Sequence, residues 1–152
     1  YEDLEFVTEG VKINLRRSKT DQFGDGYVKG LPFFDNNEYC PVISIRKWIK
    51  ISNINSGPLF RRFTKGSILS TDRLTDQTVA LLIKKYLDLV GIDSKNYSGH
   101  SLRSGFATSA AESGAEERSI MEMTGHKSTG MVRRYIKDAN LFKNNALNKI
   151  KI

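Results

Sequence analysis

A chain of 152 residues, 39% hydrophobic and 27% charged, has the length and composition of one globular domain with an apolar core. Its net charge of +7 favours a polyanionic partner. No apolar run reaches the roughly 18 residues of a membrane span, no signal-peptide pattern opens the chain, and the single Cys40 cannot form an internal disulfide, which fits a reducing cytoplasmic setting.

Residues 4–17 read as a β-hairpin, with LEFVT and VKINL meeting at Glu9-Gly10. SKTDQFGDG follows as a polar turn or loop, and YVKGLPF as a third short strand. Pro41 opens a helical run in which Val42, Ile45, Trp48 and Ile49 share a face, with Trp48 a core anchor. INSGP breaks the chain, and LFRRF and SILS read as short extended pieces. A helix is predicted from about Thr75 to Val90, capped by Thr75 or Asp76 and stopped by Gly91. Its apolar stripe is Val79, Leu82, Ile83, Tyr86, Leu87 and Val90. The next helix runs from about Ser101 to Ser113 and turns Leu102, Phe106, Ala110 and Ala111 to the core. A short helix from Ala115 to Thr124 buries Ile120 and Met123 and ends at Gly125. Another begins near Ser128 or Thr129 and carries Met131, Val132 and Tyr135. Asp138 to Ile152 reads as a last helix with Leu141, Phe142, Ala146, Leu147 and Ile150. The expected architecture is mainly α-helical with a small antiparallel β-sheet at the N-terminal end, without a repeat or a domain boundary.

The chemistry concentrates in the C-terminal third. The chain's two histidines both lie there, each after a glycine, as Gly99-His100 and Gly125-His126. Arg103 follows His100 by three residues, and Tyr135 follows His126 by nine, behind Arg133-Arg134. Guanidinium binds phosphate oxygens bidentately. Imidazole hydrogen-bonds an oxygen or moves a proton near neutral pH. A phenol can attack phosphorus and hold a broken strand as an ester. Tyr1, Tyr27, Tyr39, Tyr86 and Tyr97 lack such neighbours, and Tyr86 reads as core.

HSLRSGFATSAA resembles the His-x-x-Arg box of the tyrosine recombinases, the phage-integrase family, and TGHKSTGMVRRYI resembles their Gly-His box and nucleophilic Tyr. The spacings from Arg103 to His126 and from His126 to Tyr135 are also similar to the family's. The resemblance implies the catalytic-domain fold of DNA breaking-rejoining enzymes, no cofactor and no metal. It implies site-specific cleavage and rejoining of double-stranded DNA through a 3′-phosphotyrosyl bond, with self-association into a synaptic tetramer, no membrane partner and a nucleoid-associated cytoplasmic setting.

Carried onto this chain, the resemblance makes Tyr135 the nucleophile and Arg103 the clamp on the scissile phosphate. His100 becomes a proton acceptor or a donor to a non-bridging oxygen, and His126 a phosphate hydrogen-bond donor. Lys19, just after the second strand, matches the lysine that acts as general acid for the leaving 5′-oxygen. Arg16, Arg17, Lys127, Arg133 and Arg134 are the candidate DNA contacts, while Arg61, Arg62 and Lys65 read as a solvated face. The family carries a further Arg before that lysine, on a helix preceding the sheet, and an amino-terminal clamping domain. Both are expected to lie outside residues 1–152, which would make this a partial catalytic domain of a tyrosine-type site-specific DNA recombinase, itself expected to be weakly active or inactive.

Rival chemistries fit less well. Cysteine and histidine spacing lacks a zinc pattern. Ser101 and Ser104 flank the first box, but no G-x-S-x-G elbow is present. A type IB topoisomerase shares the residue types, but the GHKS box and short tail after Tyr135 look more like a recombinase. The alternative from another class is a non-catalytic DNA-binding module or an inactive integrase remnant.

Overall fold

Five α-helices and two small antiparallel sheets make up the regular structure in a computed structural model that describes residues 1–16, 26–140, 142 and 146–150. The chain divides into two compact units, Tyr1–Leu74 and Thr75–Ile152.

In the first unit, β1 (Leu4–Val7), β2 (Gly10–Leu15) and β3 (Tyr27–Pro32) form an antiparallel sheet in that order. Register pairs Phe6 with Val11 and Val11 with Leu31. Gly10 has φ of +157°, and a Cβ there would overlap the Leu31 carbonyl, so the β1–β2 turn needs glycine. Helix α1 (Pro41–Ser52) starts with Pro at its first position and ends at Asn53 in the left-handed region. Buried Val11, Cys40 and Val42 form the core, with Leu4, Leu31, Ile43 and Ile45 packed on it. Trp48 is half-buried; its indole Nε1 donates to the Leu59 carbonyl at 2.8 Å, and its ring meets Phe63 edge-on. β4 (Arg61–Phe63) and β5 (Leu69–Arg73) pair as a second sheet. The extended pieces expected there therefore form a hairpin of their own. Arg61 donates to the Pro58 and Ser56 carbonyls of the preceding loop, and Arg62 pairs with Asp72 across the hairpin at 2.6 Å.

In the second unit, α2 (Asp76–Leu89) is capped by Thr75, whose side chain accepts the Thr78 amide, and stops before Gly91 at φ of +77°. A 3-10 turn (Ser94–Asn96) leads to α3 (Gly99–Glu112), α4 (Glu117–Thr124) and α5 (Thr129–Ala139). Helix α3 packs on α5, and α4 packs on both. Buried Ala107, Ala111, Ile120 and Val132 form the core, with Ala110, Met121, Tyr135 and Ile136 against it. Burying Ile120 and Val132 contributes about 1.5–3 kcal/mol each.

Several expectations are corrected. The expected core position of Tyr86 is not borne out: Tyr86 is 66% exposed and Val90 71%, whereas Ile83 and Leu87 of the same stripe are half-buried, and within its unit α2 packs on the 3-10 turn and on α3. Leu102 and Phe106 of α3 are exposed, and the buried positions are Ala107 and Ala111. Small side chains thus fill the core that α3 shares with α4 and α5. Helix α3 begins at Gly99 rather than Ser101, and α4 at Glu117 rather than Ala115. The expected helix over 138–152 is replaced in its described part by the end of α5 at Ala139 and a 3-10 turn, Ala146–Lys149, with Phe142, Leu147 and Ile150 exposed. Among the described residues, no helix is long and apolar enough to cross a membrane.

Candidate active site

Each of the three packed helices of the second unit positions one part of the predicted constellation. Ser98 caps α3: its Oγ accepts the His100 amide at 3.3 Å, while Ser101 Oγ accepts the Ser98 amide at 3.0 Å. This reciprocal cap places His100 in the first turn, beside the helix N-terminus that attracts anions. Arg103 follows one turn on, on the same face. Both side chains are exposed.

Helix α4 ends at Gly125, whose φ of +69° lets the chain turn sharply. Half-buried His126 follows that turn, and its Nδ1 lies 2.7 Å from Thr124 Oγ1. Burial pushes the His126 imidazole below its ordinary pKa, and the positive charges of Arg103 and His100 push it the same way. His100 and Arg103 are thus electrostatically coupled to His126, although they stand on different segments.

Tyr135 is half-buried on α5, with its ring against the unit's core. Its hydroxyl donates to Ser104 Oγ at 3.2 Å, one residue past Arg103. Its ring centroid lies 6.4 Å from that of His126, tilted by 41°. The phenol of Tyr135 thus contacts the helix that carries Arg103 and lies beside the ring of His126.

The candidate DNA contacts differ in their surroundings. Arg133 Nε lies 3.1 Å from Glu117 Oε2, tying α5 to α4. Arg16 pairs with Asp3 at 2.6 Å. Arg134 and Lys127 are exposed, and no ion pair to either is found among the described residues. Lys19 and Arg17 lie outside the described residues. Among the described residues, no three His, Cys, Asp or Glu side chains converge as a metal site.

Two polar partners escape the motif reading. Ser104 was visible only as a serine beside the first box, because its link to Tyr135 spans 31 residues. Thr124 stands directly before Gly125-His126 at the end of α4, and it is buried.

Comparison with known proteins decides the family. The model of the phage integrase family matches residues 33–141. The chain belongs to the phage integrase family. Within it, the chain is 45% identical over 150 residues to an integrase/recombinase XerD homolog of Selenomonas ruminantium, covering 99% of this chain and 44% of that protein. It is 33% identical over 114 residues to tyrosine recombinase XerA of Pyrococcus horikoshii, covering 73% of this chain and 37% of that protein. Tyrosine recombinase XerC of Syntrophus aciditrophicus matches at 40% over 63 residues, 41% of this chain and 20% of its own length. The chain thus spans less than half the length of these relatives.

Proposed function

We propose that residues 1–152 form part of the catalytic domain of a tyrosine recombinase and take its DNA breaking-rejoining fold. The observation that carries this reading is the placement of Tyr135, whose hydroxyl lies 3.2 Å from Ser104 beside Arg103 on α3 and whose ring centroid lies 6.4 Å from that of His126. Relatives named integrase/recombinase and tyrosine recombinase support it.

In this reading the Tyr135 hydroxyl loses its proton, and its oxygen attacks the phosphorus of a double-stranded DNA backbone. A Tyr–O–P bond forms as the bond from phosphorus to the 5′-oxygen breaks, and the leaving oxygen takes up a proton. The ester keeps the energy of the phosphodiester, so a 5′-hydroxyl can reverse the step and rejoin strands. Arg103 grips two non-bridging oxygens, and His100 accepts a proton or donates to an oxygen. His126 bonds a non-bridging oxygen, Lys19 supplies the proton to the leaving group, and Arg16, Arg17, Lys127, Arg133 and Arg134 contact the backbone. Removing one transition-state cation typically costs on the order of 10³-fold. Assembly of four protomers into a synapse completes the proposal.

The test is to incubate the full-length protein with a pool of nicked suicide duplexes of randomised sequence and digest any covalent product. Peptide mass spectrometry should find the nucleotide remnant on the peptide containing Tyr135. A remnant on another residue, or no covalent product, overturns the reading.

A further inference from the structure

The hydroxyl of Thr124 lies 2.6 Å from the Ile120 carbonyl, 3.5 Å from the Met121 carbonyl and 2.7 Å from His126 Nδ1. Thr124 itself is only 8% exposed, so water does not compete freely for these bonds. A threonine hydroxyl carries one proton. A carbonyl oxygen can only accept, and the bond to the residue four back is the usual one for a helical threonine. The proton of Thr124 therefore goes to Ile120, and Oγ1 meets His126 as an acceptor. The hydrogen between Oγ1 and Nδ1 must then belong to the imidazole.

Resting on the recombinase reading above, we propose that Thr124 is a positioning residue for His126: its hydroxyl fixes the ring in the tautomer protonated at Nδ1 and reserves Nε2 for the scissile phosphate. The unused nitrogen of a neutral ring held this way has a lone pair and no hydrogen. Burial and the charges of Arg103 and His100 favour that neutral ring before DNA arrives. Among the described residues, Lys127 follows it in the chain and Tyr135 lies across from it, and both are titratable. Phosphate carries the opposite charge, so binding would draw a proton from solvent onto Nε2 and turn it into a charged donor. Thr124 thus sets which nitrogen receives that proton.

Nitrogen-15 NMR of the free chain reads the tautomer without DNA or activity. The chain has two histidines, so a His100→Gln variant assigns the His126 signals by elimination. Above the titration of His126, Nδ1 should resonate as a protonated nitrogen and Nε2 as a bare one. Thr124→Ser keeps the hydroxyl and should preserve that pattern. Thr124→Val keeps the shape, removes the acceptor and should shift the population toward hydrogen on Nε2. On the nicked-duplex pool, Val should slow adduct formation by about tenfold, the scale of one hydrogen bond, and Ser should restore it. A wild-type ring already protonated at Nε2, or a folded Val variant with the wild-type tautomer, overturns the positioning role; the first is visible even if Thr124→Val folds poorly, since the wild-type spectrum stands alone. The predicted tautomer in a protein that forms no DNA adduct would instead sink the recombinase reading and leave the Thr124–His126 relation standing.

Discussion

The Tyr135 hydroxyl is held by Ser104 Oγ at 3.2 Å, across 31 residues of chain. The proposed nucleophile is thus tied to α3, the helix that carries Arg103. A double-mutant cycle should expose the tie. Ser104→Ala and Tyr135→Phe should each cost about 0.5–1.5 kcal/mol of stability for one neutral hydrogen bond. The double variant should cost no more than the larger single one. Urea unfolding of the four proteins checks this, and additive losses would show that the bond contributes nothing.

Arg103→Lys separates charge from geometry. Arg103 is exposed, and none of the described ion pairs includes it, so the fork is available to a phosphate. Lysine keeps the charge and loses the planar pair of donors. Adduct formation on nicked duplexes should fall by on the order of 10²–10³, while duplex affinity changes by less than about threefold. A fully active lysine variant would remove the bidentate role.

His126 should leave a signature in stability against pH. Its folded pKa is lowered, mainly by burial and further by Arg103 and His100. Above the unfolded value of about 6.5, both states are neutral at this group and its contribution is complete. As pH falls through that value, the unfolded chain takes the proton first, so stability is lost until the lower folded pKa has also been passed. His126→Gln lacks this component. The stability difference between wild type and His126→Gln should shift against wild type from roughly pH 7.5 to pH 5. A difference independent of pH would contradict the buried, neutral ring.

Salt should distinguish the two arginines before Tyr135. Arg134 is exposed without a described ion pair, whereas Arg133 is engaged by Glu117. Phosphate contacts release counterions, so log affinity falls linearly with log salt. Arg134→Gln should reduce the slope by about 1, and Arg133→Gln by less. Equal slopes for wild type and Arg134→Gln would place Arg134 away from the DNA.

Local patterns were legible in the sequence where one residue type dominates the local physics. Pro41 started α1, Thr75 and Gly91 bounded α2, and Gly125 ended α4 as read. The packing of α3 was not legible, because apolar bulk drew attention to Leu102 and Phe106 while the buried positions are Ala107 and Ala111. The Ser98 cap was missed because its partner at Ser101 is another serine rather than the usual Glu or Gln. His100, Arg103, His126 and Tyr135 stood out by type, order and spacing. Their orienting partners did not: Ser104 meets Tyr135 only through tertiary folding. Thr124 lies two residues from His126, but its hydroxyl reaches the ring only because Gly125 turns back.

The central claim is that Tyr135 carries the DNA. Tyr135→Phe removes one oxygen and leaves the ring packed on the core. Wild type and this variant should be compared on the nicked suicide duplexes for denaturant-resistant protein–DNA adduct, with duplex binding measured alongside. Retained binding with no adduct is the predicted result. Adduct at the wild-type level would contradict the assignment and move the chemistry to another side chain.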